Sequence, residues 1–461
     1  MDTKKTNWRY ILVSKLTRVN RPLLTTIIAC AISIILVGEV YSAEVFINVE
    51  RKKGEAIRMA ITDFTFRDSK ATTEGMKNFG SDAKKILTFD IDFSGNFELI
   101  DNREMIKDIT NGEKKKGMVD WAEWKNLGAD TVVYGEYYFN PTGDLVVEGR
   151  VFDVERKEQI IGTRFIGTKN VFRKMIHKLS DQIVYRFTGE NGIGETRVTY
   201  TTRFDGFKEL VVADYDGQNM KQVTNDKSII LFPKWAPGGN SILFTSYKYK
   251  NPDLYSLDLV KNIRRVVSRK IGINASGAYS PDGSKLVFSM STRGNSDLFS
   301  VDADGSNLKR LTRARSIETS PSFSPDGKKV AYVSDFSGSP QVYIMDADGK
   351  NKKRFTFQGN YNADPAWSPR GDMIAFCGIM DNNFNLHVKR VDGRFEKQLT
   401  IYQKDNESPS WSPDGNHIAF ISTRSGSSQV HIMNVTGENQ RQITFLKGEA
   451  FGVDWSPRIK E

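Results

Sequence analysis

The chain has 461 residues, of which 39% are apolar and 26% are charged, and its formal net charge is +10. This composition is typical of a globular protein and excludes a disordered or fibrous chain. The length exceeds what one compact core usually holds, so we expect two folded domains after any targeting segment.

The first 43 residues differ in composition from the rest. Basic residues precede an apolar run of 15 residues over 23–37, and Tyr41-Ser42-Ala43 follows. These are the parts of a secretory signal peptide, so we expect cleavage after Ala43 and export. Two alternatives remain open. One is a membrane anchor, although a span needs about 20 residues. The other is lipoprotein-type cleavage at Cys30, which would leave an apolar start.

Export removes much of the positive charge. The first 43 residues hold six basic and two acidic residues, so 60 basic and 54 acidic residues remain, a net charge of +6. We find no clustered basic stripe, which argues against a nucleic-acid partner. Lys114–Lys116 are expected in a solvated loop. Cys377 is then the single cysteine, which excludes an intramolecular disulfide and a cysteine-based zinc site.

Residues 44–190 predict an N-terminal domain in which helices and strands alternate. Strands are expected over 56–61, 131–139, 145–154 and 160–166, and helices over 76–87, 119–127 and 171–187. Apolar residues recur at every fourth position of the last helix, which gives it one apolar face. The pattern predicts a small α/β sandwich, preceded by an extended arm that starts at Glu44.

Residues 191–461 repeat with a period of 44. Aromatic residues that open Ser-Pro-Asp-Gly or a related turn occur at this spacing, at Trp235, Tyr279, Phe323, Trp367, Trp411 and Trp455. A second series ends successive segments, at Thr224, Ser268, Thr312, Thr356, Thr400 and Thr444. Each repeat predicts four short strands, which matches the length and strand number of a β-propeller blade.

The ends of the repeat region predict how the ring closes. Trp455 ends a first strand that has no strands after it, whereas 197–201, 209–213 and 221–224 are strands that lack a first one. Together they make one blade and leave no unpaired edge at the seam. We therefore predict an α+β two-domain fold, with the α/β sandwich at 44–190 and a six-bladed propeller at 191–461 closed by N- and C-terminal strands.

Catalytic and metal-dependent alternatives have little support. No Gly-x-Ser-x-Gly nucleophile elbow occurs. A metal-dependent lyase needs converging histidines, but His387, His417 and His431 are expected at different places within their repeats, and His177 in a structural role. The repeated aromatic residues are expected in blade cores, which disfavours a sugar-binding propeller. We therefore expect a protein-binding scaffold with no enzyme activity, cofactor, metal or small-molecule substrate.

Motifs outside the repeat resemble one family. Residues 173–183, the Thr-Gly-Glu-Asn-Gly run at 188–192, Leu127–Asp130 and Phe152–Val154 are similar to the junction and N-terminal domain of the TolB family of the bacterial Tol-Pal system. The resemblance covers nearly all of the mature chain. It implies a link between inner membrane, periplasm and outer membrane that serves outer-membrane integrity and envelope constriction at division. The basic residues at 51–53 depart from the family pattern.

The resemblance also implies two protein partners. The N-terminal arm is expected to bind the inner-membrane protein TolA through Glu44, Val45, Phe46, Ile47, Asn48 and Val49. The propeller is expected to bind the peptidoglycan-associated lipoprotein Pal at the loops between blades, which vary from repeat to repeat on a rigid scaffold. The candidate contacts lie just before the aromatic anchors, at Asn274, Glu318, Ser320, Asp364 and Glu407.

Overall fold

The computed structural model describes residues 56–67, 78–292, 294–380, 382–401 and 404–459. From Ala56 onwards the described residues belong to one compact unit, Glu55–Glu461. The predicted signal segment (1–43) and the predicted TolA-binding arm (44–49) lie outside the described residues. Cleavage after Ala43 therefore stays a prediction.

The N-terminal domain is built on a six-stranded mixed sheet. Its strands are Ile57–Ile61 (β1), Thr65–Phe66 (β2), Phe97–Leu99 (β3), Thr131–Phe139 (β4), Leu145–Asp153 (β5) and Glu158–Gly167 (β6). The order is β3-β1-β4-β5-β6, with β2 beside β4. β1 runs parallel to β3 and β4, whereas β4, β5 and β6 are antiparallel hairpin neighbours.

Helices cover both faces of this sheet. They are Asn78–Phe93 (α1), Arg103–Lys116 (α2), Trp121–Asn126 (α3) and Phe172–Thr188 (α4). Side chains alternate along β1, so Met59 packs with α1 and α4 while Ala60 packs with α2 and α3. The predicted sandwich is confirmed. Among the described residues, no helix has the length and apolar character needed to cross a membrane.

One helix was not predicted. Lys114–Lys116 form the last turn of α2 rather than a loop, and Gly117 ends the helix in the left-handed conformation at φ 67°. The buried carboxylate of Glu113 accepts hydrogen bonds from Trp124 Nε1 at 2.7 Å and from Tyr134 Oη at 2.8 Å. Basic residues in a last turn also suit the negative end of the helix dipole.

The propeller has six four-stranded antiparallel sheets among the described residues, as predicted. Blade 1 is Ile230–Trp235, Ser241–Tyr249, Asn251–Asp258 and Ile263–Ser268, and blade 2 is Asn274–Tyr279, Lys285–Thr292, Asn295–Asp302 and Lys309–Arg310. Blade 3 is Glu318–Phe323, Lys329–Ser334, Gln341–Asp346 and Lys353–Arg354, and blade 4 is Asn362–Trp367, Met373–Met380, Asn383–Arg390 and Glu396–Gln398. Blade 5 is Asn406–Trp411, His417–Ser422, Gln429–Asn434 and Arg441–Gln442.

Blade 6 closes the ring with strands from both ends of the repeat region. It is Ala450–Trp455, Arg197–Phe204, Phe207–Asp214 and Lys221–Gln222. Trp455 pairs with Val198, and its indole Nε1 donates to Thr196 Oγ1 at 2.8 Å. The predicted shared blade is confirmed.

Asp454 ties this closing strand to the blades on either side. Its carboxylate accepts the Trp235 backbone N–H at 2.7 Å and Lys234 Nζ at 2.9 Å from blade 1, and Ser410 Oγ at 2.9 Å from blade 5. The carboxylate is almost buried. The seam is therefore fixed by polar contacts as well as by strand pairing.

The threonine series has a structural role in blades 2 to 6. Each hydroxyl lies just after the fourth strand and accepts a backbone N–H of the third strand, as in Leu298 N to Thr312 Oγ1 at 2.8 Å and Val342 N to Thr356 Oγ1 at 2.9 Å. The same contact occurs at Thr224, Thr400 and Thr444. This contact satisfies a buried donor where the short fourth strand ends.

Successive strands of each blade run in opposite directions, so their connections alternate between two faces of the propeller. The turn face holds the Ser-Pro-Asp-Gly turns and the third-to-fourth-strand turns. The loop face holds the connections between blades and the second-to-third-strand loops. The N-terminal domain lies against the turn face: His417 Nε2 donates to the Phe93 carbonyl at 3.0 Å, and Asn439 Nδ2 donates to the Asp92 carbonyl at 3.4 Å.

Candidate functional site

The six innermost strands line a central channel, and each one carries a bulge at the same place. In each innermost strand one residue has a left-handed backbone, with φ between 49° and 55°: Phe232, Ser276, Ser320, Asp364, Ser408 and Gly452. Their spacing is 44, and the strand register shifts beside every one of them. Bulges re-aim side chains, and here they turn six residues towards one cavity.

This cavity has a volume of about 160 Å³. The six left-handed residues line it together with prolines, Pro233, Pro321, Pro365 and Pro409. Each proline follows a left-handed residue, where it removes a backbone donor that the bulge would leave unpaired. Innermost strands start at the loop face and the bulges lie in their first halves. The cavity therefore lies towards the loop-face mouth of the channel.

Charged groups of both signs meet at the cavity. Burial raises the pKa of Asp364, an effect that Lys234 and Ser320 partly offset. Burial and then the neighbouring Asp364 raise the pKa of Glu407. In blade 6, Lys208 Nζ lies 3.3 Å from the centre of the Phe451 ring, and burial lowers the pKa of this lysine. Partly desolvated charges of this kind are common at binding sites.

The five predicted contact residues separate into two groups. Ser320 and Asp364 line the cavity, and Glu407 directly precedes the cavity residue Ser408. Asn274 and Glu318 are buried, with 0% and 2% exposure. All five lie in the first halves of innermost strands rather than in loops, because the strands begin earlier than the sequence suggested.

Asn274 and Glu318 act within the propeller. Asn274 Nδ2 donates to the carbonyls of Lys270 at 2.7 Å and Gly272 at 3.1 Å, and so fixes the loop between blades 1 and 2. Glu318 accepts Ser334 Oγ at 3.1 Å and also the Ser316 hydroxyl. Their buried polar groups are used by their own loops, which corrects the expectation that these side chains face a partner.

The sequence interpretation missed a set of exposed apolar residues on the loop face. One residue directly follows the threonine at three successive blade junctions: Phe357, Ile401 and Phe445, each exposed and 44 residues from the next. Phe336 lies in a second-to-third-strand loop of the same half and is also exposed. At the corresponding positions between blades 1 and 2 and between blades 2 and 3, the residues are Arg269 and Arg313. The loop face therefore has an apolar half and a basic half.

A second polar cluster joins the two domains. Asp90 of α1 is buried and accepts three hydrogen bonds, from His177 Nδ1 at 2.8 Å, Ser180 Oγ at 2.7 Å and Tyr215 Oη at 2.6 Å. Burial lowers the pKa of His177, but the Asp90 carboxylate outweighs it and raises this pKa to about 9. Because Tyr215 belongs to blade 6, the cluster connects the N-terminal domain with the propeller.

His177, Asp214 and Asp216 offer potential metal ligands within 4.8 Å of one another. Arg173 lies among them. Its guanidinium hydrogen-bonds Asp216, and its Nε is 3.6 Å from Asp214 Oδ2. The guanidinium thus supplies positive charge where a cation would bind, so the arrangement is that of an ion-pair cluster.

One expectation about the histidines was wrong. His387 and His431 are 44 residues apart and occupy the same place in the third strands of blades 4 and 5. Each ring packs on a phenylalanine of its own blade, Phe376 at 5.3 Å and Phe420 at 5.5 Å between centroids. Burial lowers the pKa of His431 to about 4. These two rings lie inside separate blades rather than around the channel cavity.

Comparisons with known families match both parts of the chain. The TolB amino-terminal domain matches residues 45–160, and the TolB beta propeller domain matches residues 184–459. The second match alone covers more than half of the sequence.

Individual proteins to which the chain is similar belong to the same family. The chain is 35% identical over 215 residues to the Tol-Pal system protein TolB of Dinoroseobacter shibae, covering 46% of this chain and 47% of that protein. It is 34% identical over 256 residues to the protein of the same name from a Ruegeria species, covering 54% and 56%. The alignments thus span about half the length of these relatives. The crystal structure of TolB from Acinetobacter baumannii superimposes with a TM-score of 0.74 at 25% identity, covering 88% of this chain and 97% of that one.

Proposed function

The chain belongs to the TolB family, and on that premise we propose that it is a periplasmic, non-enzymatic component of the Tol-Pal system. In this proposal it binds Pal at the loop face and TolA through its N-terminal arm, and so supports outer-membrane integrity and envelope constriction at division. The observation that carries the Pal assignment is the loop face itself, which presents exposed apolar residues beside the channel mouth.

The apolar half of the loop face has the composition of a protein interface. Aromatic and aliphatic side chains at interfaces supply most of the binding free energy. Phe357, Ile401 and Phe445 lie around blades 3 to 6, and Asp364 and Glu407 belong to blades 4 and 5. We propose that Ser320, Asp364 and Glu407 form the polar part of the Pal contact at the channel mouth.

The contribution of the two acids to Pal binding can be measured directly. Asp364→Asn with Glu407→Gln removes both charges but keeps side-chain shape, and asparagine tolerates the left-handed backbone at position 364. Because desolvated interface charges contribute strongly to affinity, we expect Pal binding to weaken at least tenfold, or about 1.4 kcal/mol. Isothermal titration calorimetry gives the dissociation constant.

The matched control is Lys328→Glu, an exposed residue beside a turn on the opposite face. It should leave the affinity for Pal unchanged. Burial disfavours the charge of both acids, so the double variant should not lower the melting temperature. Wild-type affinity in the double variant, or a loss in the control, would place Pal elsewhere.

The arm prediction separates the two partners. Deleting residues 44–51 should abolish TolA binding and leave Pal binding intact, because a short extended peptide can add to a sheet edge of its partner. Pull-down with each purified partner tests this. Equal loss of both partners would show instead that the segment is needed for the fold.

A further inference from the structure

Three neighbouring loops on the basic half of the loop face share one composition. They read Lys-Tyr-Lys at 248–250, Arg-Lys-Ile-Gly-Ile at 269–273 and Arg-Ala-Arg-Ser-Ile at 313–317. Within these loops, the exposed cations that form no ion pair with another described residue are Lys250, Lys270, Arg313 and Arg315, and the preceding junction adds Lys227. We call these five residues the basic arc. It spans blades 1 to 3.

Acidic groups near the arc offset only part of its charge at the surface; among them is Asp335, whose carboxylate accepts the Ile317 backbone N–H at 2.8 Å. Asp226 is paired with Arg264 at 2.6 Å, Asp253 is paired with Arg269 at 3.1 Å, and both carboxylates are nearly inaccessible. Asp226 is the one acid within the three loops and the preceding junction, 225–229. The arc therefore presents positive charge to the solvent.

Apolar tips project beside these cations. Ile271 is 97% exposed and Tyr249 is 60% exposed, and Ile273 and Ile317 are also exposed. A fully exposed isoleucine contributes nothing to the core of this chain. The tips are held in place, since Arg269 lies 4.8 Å over the Tyr249 ring and Asn251 bonds both the Lys270 carbonyl at 3.0 Å and the Gly272 N–H at 3.2 Å.

We propose that the basic arc and its apolar tips dock on a membrane surface that contains anionic phospholipid. Lysine and arginine side chains bind anionic lipid headgroups, while neighbouring aromatic and aliphatic side chains are buried at the boundary of the acyl chains. A soluble polyanion such as heparin would use the cations but would gain nothing from the protruding apolar tips. This inference does not depend on Pal binding, which we assign to the other half of the face.

Vesicle co-sedimentation tests the proposal. The protein is the chain from Glu44, which keeps the compact unit Glu55–Glu461, and the vesicles are phosphatidylglycerol mixed with phosphatidylcholine, or phosphatidylcholine alone. We expect binding to the anionic vesicles only. Each basic residue near such a surface contributes roughly fivefold in affinity. Lys250→Glu, Lys270→Glu and Arg315→Glu together should therefore weaken binding at least about 100-fold.

Two further variants separate membrane docking from its alternatives. Lys261→Glu, Lys328→Glu and Lys350→Glu make the same change in net charge away from the arc, and should retain most of the binding. Ile271→Ser should weaken vesicle binding about tenfold through loss of apolar burial, without changing binding to heparin. Absence of binding to anionic vesicles overturns the proposal. So does an Ile271→Ser variant that binds vesicles normally, since that result would identify a general polyanion site.

Discussion

Removal of residues 450–461 is expected to abolish cooperative unfolding of the propeller. This segment supplies the first strand of blade 6, with Val453 and Trp455 buried and Asp454 bonded to blades 1 and 5. Loss of a buried tryptophan alone typically costs about 3–5 kcal/mol, and whole domains are stable by only about 5–15 kcal/mol. Scanning calorimetry and circular dichroism should show an absent or strongly broadened transition.

A shorter truncation is the control. A chain that ends at Arg458 keeps the complete closing strand and the hydrogen bonds from Arg458 to the carbonyls of Asn191 and Pro413. It should melt close to the full-length protein. If the long truncation also melted cooperatively within a few degrees of the full-length protein, strand sharing would not be what closes the ring.

Asp90→Ala is expected to destabilise the protein by about 3–5 kcal/mol. The substitution leaves His177, Ser180 and Tyr215 buried without their shared acceptor, and removing one partner of a buried ion pair has a cost of this order. Urea unfolding measures the change in free energy. The control is Asp92→Ala on the same helix, whose carboxylate is 46% exposed and paired with Arg441. Exposed pairs contribute about 1 kcal/mol or less.

The same cluster predicts a dependence of stability on pH. Asp90 raises the pKa of His177 from 6.5 to about 9, so its protonation stabilises the fold fully below pH 6.5 and this contribution is lost as the pH rises through 9. A shift of this size corresponds to about 3 kcal/mol. Burial also raises the pKa of Asp181 to about 7. The stabilising contribution of its protonated form is therefore lost as the pH rises from 4 to 7.

His177→Gln isolates the histidine contribution. Unfolding free energies of this variant should fall less than those of wild type between pH 6.5 and 9.5. An identical slope in both proteins would mean that the histidine is not protonated in the folded state.

The propeller could be predicted from sequence because its determinants are local and repeated. Turn residues, the aromatic anchors and the terminal threonines all recur at one spacing, and the incomplete repeats at both ends fit together in one blade. Helix α2 could not be predicted in the same way. It contains Asn111-Gly112 and a run of lysines, and its stability comes from Ile106, Ile109 and Glu113 packing on α3 and the sheet.

The candidate site was predictable only in part. The position of Asp364 on an innermost strand follows from the period, but its left-handed backbone depends on the bulge that all six blades share. The burial of Asn274 and Glu318 depends on the conformations of the loops to which they are hydrogen-bonded, and these conformations could not be predicted from the residue types. The basic arc could not be predicted from the sequence, because its cations are spread over residues 227–315 and the fold brings them to one face through neighbouring blades.

The six left-handed positions of the channel also bear on how such a protein can diversify. Phenylalanine, serine, aspartate and glycine occupy the same backbone conformation at equivalent places, so the bulge is set by strand pairing and by the residues around it rather than by the side chain it carries. Recognition at the channel and the architecture of the ring are thus separately adjustable. Asparagine or glycine at each of the six positions should remove the differences between blades at these positions and leave the ring intact, a starting point for engineering new specificities one blade at a time.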